Sequence, residues 1–417
     1  MAKKTLLKKH YYSRKHSRKQ SRKHSYYIVR CYSNRYELNY KYLEEHLKKL
    51  NLSPDNYAMN TIDKIDRQFF AKHKIPISNY CDNNNIKYPS FDKSILKADV
   101  FFINTIQPFS NTRFNYYPKY FINKIDYSSI NKLFNKFDVL SVITQNNPQL
   151  AKYCPPTFKI NELDKYQFPK WYILRPLVSF SGKDIFYINN KKDLDAKIKY
   201  YNITENYKGK IYGNDVAVSE YISNPLLFKD KKFHLRLYLL ISISKIKTNT
   251  IFNSFLLDFG KIFTAKEPFD MLEPFTKEKH DTHIKSTDDD YSFGNDFNNE
   301  NLNKSITKED KDILWNKIID ICKAISKGTE KEKRNLIYTD VKNCYYVFGI
   351  DMMVRDNLDP VFIEINGSPG VALKKKDTNY DKFSKLYFNW INETVLEPLF
   401  KYKDPMKART HPTYLDI

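Results

Sequence analysis

The chain has 417 residues, enough for two or three domains with a substantial core, and carries a formal net charge of +22. Its longest apolar runs, around residues 235–243, are far too short for a membrane helix, so a soluble protein with no membrane partner is expected. The five cysteines are odd in number, scattered and never arranged as CxxC, which excludes a disulfide scaffold and a zinc ribbon and fits a reducing, cytoplasmic compartment.

The charge is unevenly spread. The first 25 residues hold ten Lys/Arg and no acid, and Ser13 to His24 repeat Ser-Arg-Lys with period four, the fourth residue being His16, Gln20 and His24. Such a tract buries no core, so residues 1–26 are expected to form a disordered basic tail. A polyanion-binding arm, a nuclear address and a plain solubilising tail are its alternative readings. Lys, Asn, Ile and Tyr are all abundant while Gly is scarce, a general compositional drift; the 33 tyrosines therefore carry no functional reading.

Residues 27–150 read as an N-terminal domain with short aromatic strands at 26–29 and 100–103 and a helix at 40–50. Cys154-Pro155-Pro156 marks a break, and a second unit is expected over 151–222. It runs strand (171–174), glycine-bearing loop (179–184), strand (185–188), helix (192–201) and strand (216–222). A third unit, 223–400, opens on a strand in which Lys232, His234 and Arg236 alternate with apolar residues and so share one face. Polar, acidic residues 276–310 read as a long loop, 308–325 as a helix, 348–372 as a hairpin, 381–399 as a last helix, and 401–417 as an extension. Strands and helices mix without βαβ alternation, which defines an α+β fold.

The hairpin carries the sharpest chemistry. If it is symmetric about the bond between Asn357 and Leu358, Asp351 lies directly opposite Glu364, and Asn366 shares the face of Glu364. Opposed carboxylates repel. A hard divalent cation resolves that conflict, and two carboxylates with an amide oxygen make a reasonable Mg²⁺ donor set; a solvated polar face is the alternative. Upstream, Arg175 precedes a loop ending in Gly182-Lys183, where a glycine lets backbone N–H groups approach phosphate oxygens. Phosphate-neutralising cations together with an acidic metal site are what positions a nucleoside triphosphate. Walker A and protein-kinase signatures are absent.

The order WYILRPLVSFSGKDIFYI, VSEYISNPLLFKDKKFHLRLYLLI, EPF, THIK and FGIDMMVRDNLDPVFIEINGSPGVA resembles the tubulin–tyrosine ligase-like family of ATP-grasp enzymes across roughly residues 150–375. The resemblance implies an ATP-grasp fold whose two C-terminal lobes clasp ATP. It places Arg175, Gly182 and Lys183 at the phosphates, and Ser219, Glu220, Tyr221 and Ile222 along the adenine. Lys232-Phe233-His234 falls on an ATP-contacting KFD segment, with Lys232 as the contact. Arg236 falls beside the reacting carboxylate and γ-phosphate, and Asp351, Glu364 and Asn366 on the magnesium ligands. Three positions depart from the pattern: His234 replaces an aspartate, Phe263 replaces an arginine that meets the amino-acid substrate, with Lys261 and Lys266 as neighbouring cations, and Ser286 replaces an amide.

The implied activity is ATP- and Mg²⁺-dependent ligation of a free amino acid to a carboxylate of an acidic protein acceptor such as a tubulin tail. Two alternatives accompany it. One is an ATP-grasp ligase for small molecules; the other is a catalytically impaired member that binds microtubules or nucleic acid through its tail.

Overall fold

The computed structural model describes residues 25–30, 57–60, 98–104, 121–122, 133 and 135–417, the last span without 178–182, 207–208, 247, 273–274, 283–290, 332–342, 368, 370–377, 401 and 403. Most of the basic tail, the helix expected at 40–50, Gly182, His283 and Ser286 therefore lie outside the described residues. Strands β1 (Ser25–Arg30), β2 (Tyr57–Asn60) and β3 (Ala98–Asn104) form a parallel sheet in the order β2-β1-β3. Their short unbroken apolar runs suit parallel pairing. Next along the chain come β4 (Phe121–Ile122) and helix α1 (Asp138–Asn146).

A small antiparallel sheet follows, in the order β5-β8-β6-β7, from β5 (Thr157–Lys159), β6 (Tyr172–Pro176), β7 (Phe186–Ile188) and β8 (Val216–Glu220). Helix α2 (Lys191–Ile203) begins where the Asn190 side chain accepts the Asp193 N–H at 2.9 Å, a strong N-cap. It sets Leu194 and Tyr201 against Phe158, Leu174, Ile188 and Val218, a core separate from that of the larger sheet.

The larger sheet has the order β13-β12-β10-β14-β15, built from β10 (Lys231–Ile246), β12 (Lys261–Thr264), β13 (Tyr291–Ser292), β14 (Asn343–Val354) and β15 (Pro360–Asn366). β9 (Leu227–Phe228) and β11 (Asn249–Leu256) also pair with β10, and β4 pairs with β14. The segment 276–310, expected as a loop, contains the single-turn helix α3 (Lys277–His280) and β13, whose pairing with β12 gives it a strand role that its two residues could not signal. Helix α4 (Lys308–Lys331) starts at a reciprocal cap in which Thr307 Oγ1 accepts the Asp310 N–H and Asp310 accepts the Thr307 N–H. Helix α5 (Thr378–Ile391) follows the hairpin. None of the described helices is long and apolar enough to cross a membrane.

β10 organises the molecule. Leu235, Leu237, Leu239, Ile241 and Ile243 project to one face and pack with Ile318, Ile321 and Ile325 of α4. On the opposite face Tyr238 and Leu240 are covered by Phe383, Tyr387 and Trp390 of α5, while Lys232, His234 and Arg236 come before that cover begins. Each buried leucine or isoleucine contributes about 1.5–3 kcal/mol. A one-residue slip would send all three basic residues into the core, so the register is tightly fixed.

The β14–β15 hairpin pairs Asp351 with Glu364, as a symmetric hairpin requires, but it arrives there indirectly. Near the turn the partners are Val354↔Pro360 and Met352↔Phe362; beyond it they are Asp351↔Glu364 and Ile350↔Ile365. The turn is therefore centred on Asn357, with Leu358 at φ +62°, and Ile363 is an extra residue in a bulge that restores the acid pair.

Candidate functional site

The small sheet, Lys232 at the start of β10, the β14–β15 hairpin and the chain around the end of α3 surround a cleft of about 830 Å³, counting space open to solvent. Ile173, Ile185, Ile222, Met353 and Ile363 supply apolar walls, with Tyr187 and Tyr221 beside them. Three cations converge on the same space: Lys136, Arg175 and Lys232.

Each cation is held by fixed partners. Arg175, at the end of β6, donates from Nη2 to Ser219 Oγ at 3.0 Å and from Nη1 to the Ile363 carbonyl at 3.5 Å. Ser219 is steadied in turn by Thr157, hydroxyl to hydroxyl at 2.9 Å. Lys136, just before α1, pairs with Glu364 at 3.4 Å and donates to the Pro176 carbonyl at 3.5 Å. Lys232 is buried, with its ammonium 3.7 Å from the Tyr221 ring centroid. Burial lowers the pKa of all three; Glu364 opposes this for Lys136 and Arg175, and Asp281 opposes it for Lys232, whose value falls well below the usual lysine range. Three desolvated cations in one cleft make a site that favours a multiply charged anion.

Beside the cleft lies a second cluster. Asp351 is grasped by Arg236 through both Nε and Nη2, and its Oδ2 also accepts from the Asn366 amide at 2.8 Å. Burial works against the charge of Arg236, but the Asp351 carboxylate more than offsets it, and the guanidinium pKa is raised. Gly349 makes room for this contact: a Cβ there would come 2.9 Å from Arg236 Cδ and 2.7 Å from Pro369 Cβ. Asp351, Glu364 and the Asn366 amide oxygen are an oxygen-only donor set on adjacent, in-register strands, a chemistry that fits a hard divalent cation.

Arg175, Ser219, Glu220, Tyr221, Ile222, Lys232 and Glu364 thus line one cleft, with Arg236, Asp351 and Asn366 next to it. Glu220 sits at the exposed edge and pairs with Lys170 at 3.6 Å. Lys183 is exposed at the foot of its loop. Phe233 requires a correction. Its side chain points into the core near Phe228 and Phe297, because strand alternation puts it on the face opposite Lys232. His234 is buried away from the cleft lining, with Nδ1 2.6 Å from Thr282 Oγ1 and its ring stacked on Phe263, 4.9 Å between centroids. Two departures from the family pattern, His234 and Phe263, are therefore direct cross-strand partners.

Sequence reasoning missed Lys136, Tyr187 and His280. Lys136 is one lysine among many, with no local pattern to mark it. His280 had no partner at a sequence spacing, yet it is buried with Nδ1 2.7 Å from the Tyr221 hydroxyl and its ring stacked on Phe275 at 3.5 Å. Burial, and then Lys232, push its pKa down to about 4, so it is neutral at pH 7.

Two lobes closing a cationic, apolar-walled cleft over an acidic hairpin define an α+β protein of the ATP-grasp type. Comparison with solved structures agrees: the C-terminal domain of Pby1 from K. lactis, an ATP-grasp enzyme interacting with the mRNA decapping enzyme Dcp2, matches with a TM-score of 0.56. That match covers 90% of this chain and 94% of that one at 15% identity, and shows the fold. The model of the tubulin-tyrosine ligase family matches residues 103–398, and the chain belongs to that family. Among curated relatives, a probable alpha-tubulin polyglutamylase Ttll1 of Tetrahymena thermophila is 26% identical, over 49% of each chain. The human tubulin polyglutamylase TTLL5 is 24% identical over 67% of this chain and 21% of its own length. A probable tubulin–tyrosine ligase of Schizosaccharomyces pombe is 23% identical over 56% of this chain and 59% of its own. The chain thus spans about half or less of the first relatives' lengths.

Proposed function

We propose that this chain is an ATP-dependent ligase that joins an amino acid to a carboxylate of an acidic protein acceptor, with a tubulin-like tail as the substrate class. The convergence of Lys136, Arg175 and Lys232 on one cleft is the observation that carries the reading. Family membership and the names of the relatives support the acceptor class.

In this reading the apolar walls take the adenine and the three cations take the phosphates. An acceptor carboxylate oxygen attacks the γ-phosphorus, and ADP departs with the bonding electron pair. The resulting acyl phosphate is attacked at carbon by the amino group, which loses a proton as inorganic phosphate leaves, giving an amide. Lys232, Lys136 and Arg175 spread the phosphate charge in a water-poor cleft, where such charges act most strongly. Asp351, Glu364 and Asn366 would hold a magnesium ion, which supplies charge neutralisation between phosphate oxygens.

The test is mass spectrometry of tubulin C-terminal peptides after incubation with the protein, Mg-ATP and each amino acid in turn. A mass shift is expected, and Glu364→Gln should lower it by about a hundredfold or more while the fold persists. No shift on tubulin or on any acidic acceptor peptide, with any amino acid, would refute the ligase. The stacked His234–Phe263 pair favours a second reading, a nucleotide-binding member without ligase turnover; acceptor-stimulated ATP hydrolysis eliminates it.

A further inference from the structure

The connection between β6 and β7 has both its feet at the cleft, since Arg175 before it and Ile185 after it line that space. In sequence, Gly182 and Lys183 immediately precede its second foot, Asp184. The first foot is fixed by a backbone bond, Leu177 N–H to the Asp215 carbonyl at 2.9 Å. The second is held more heavily, by three tyrosines. Asp184 Oδ1 accepts the Tyr200 hydroxyl at 2.8 Å and Oδ2 accepts the Tyr212 hydroxyl at 2.7 Å. The Asp184 carbonyl accepts the Tyr201 hydroxyl at 2.8 Å.

Asp184 also has φ +59°, in the left-handed region that glycine enters freely and aspartate tolerates better than most side chains. Three hydroxyls on one such residue mark a conformation that its surroundings enforce. The tyrosines are themselves fixed: Tyr201 meets Tyr200 and Tyr212 edge to face, with centroids 5.6 and 5.7 Å away, and Phe186 meets Tyr200 at 5.1 Å. The cage also removes an electrostatic conflict. A loose carboxylate beside Lys183 would compete for its ammonium, and one facing a phosphate would repel it. Both Asp184 oxygens are instead tied to hydroxyls, and among the described residues Lys183 has no ion-pair partner and stays exposed.

We infer that Asp184, caged by Tyr200, Tyr201 and Tyr212, is a positioning residue that holds this foot of the connection so that Lys183 is aimed at the phosphates in the cleft. This assignment rests on the nucleotide-binding part of the ligase reading. Asp184 touches no nucleotide itself; it acts through Lys183. The caging tyrosines come from the end of α2 and the chain just before β8, so the whole device belongs to the unit of the small sheet. Three of the tyrosines that composition leaves without a role thus acquire one.

The experiment is calorimetric titration of the full chain with Mg-ATP, with urea unfolding to report that each variant is folded. Tyr200→Phe with Tyr212→Phe keeps both rings and removes two hydroxyls, while Asp184→Gly keeps the left-handed backbone and removes the caged carboxylate. Each is expected to weaken Mg-ATP about tenfold, the scale of one charge-assisted contact, and Lys183→Met should show a similar loss. Added to Lys183→Met, either cage variant should cost less than about twofold more, because the anchor works through that lysine. Asp184→Asn should retain most of the wild-type affinity, since its amide can make the same two hydrogen bonds. Wild-type affinity in the cage variants or in Lys183→Met overturns the assignment. So do losses that add in full to that of Lys183→Met, the result a merely structural cage would give. Failure of the wild-type chain to bind Mg-ATP overturns instead the nucleotide reading beneath it.

Discussion

One face of β10 is two different surfaces joined end to end. Over residues 232–236 it carries Lys232, His234 and Arg236; two residues further, over 238–240, it carries Tyr238 and Leu240 beneath α5. Backbone and alternation are continuous between the halves, and Lys232 and His234 are buried as Tyr238 and Leu240 are, with Arg236 half-buried. What differs is the cover. Phe383, Tyr387 and Trp390 close one half with hydrocarbon, whereas over the other half Lys232 lines the cleft with Arg175 and Lys136, His234 meets Thr282, and Arg236 meets the Asp351 carboxylate. Burial alone therefore does not distinguish core from site on this strand; the partners do.

The contrast breaks most visibly when a charge is moved along the strand. Leu240→Lys should cost about 3 kcal/mol of stability, since it places an uncompensated ammonium under α5. Lys232→Met, eight residues away on the same face, should leave stability unchanged or raise it by about 1 kcal/mol while weakening Mg-ATP binding roughly tenfold. Urea denaturation and nucleotide titration of the two variants would show it; equal destabilisation would erase the distinction. A smaller effect is expected at Gly349→Ala, where the new methyl must displace Arg236 or Pro369, at a cost of about 1–3 kcal/mol. Lower thermal stability together with a weakened Arg236–Asp351 contact is the expected outcome, and a neutral substitution would mean the strands yield freely.

The smallest effect concerns pH. The folded-state pKa of His280 lies at about 4, below its ordinary 6.5, so the unfolded chain binds the proton first as pH falls. The stability linked to neutral His280 is present above about pH 6.5 and is lost as pH drops towards 4. His280→Phe should flatten that part of the stability–pH curve measured by urea midpoints, and an unaltered slope would place the titration elsewhere.

Local pattern carried the sequence reading as far as local pattern reaches. Alternation sufficed to put Lys232, His234 and Arg236 together and, applied strictly, would also have kept Phe233 off the site. Simple hairpin symmetry found the Asp351–Glu364 pair although the turn is displaced, because the Ile363 bulge restores the count. Helix α4 was visible from its apolar period and its Thr307–Asp310 cap. Lys136, Tyr187 and His280 were not visible, because each reaches the cleft only through tertiary contact. The His234–Phe263 pairing was hidden for the same reason: two separate departures from a motif become one contact only when β10 and β12 lie side by side.

The bulge at Ile363 has a mechanical side. The two residues at that irregularity are gripped from two sides: Arg175 of the small sheet takes the carbonyl of Ile363, and Lys136, just before α1, whose Val139 and Ile143 pack in the core of the larger sheet, takes the carboxylate of Glu364. Drawing the small sheet outward would pull on the Ile363 carbonyl through Arg175, while Lys136 would stay with Glu364 on the side of the larger sheet. A single surplus residue thus acts as a clutch, parting the backbone grip of the small sheet from the charge balance at Glu364, so that strain on one need not disturb the other.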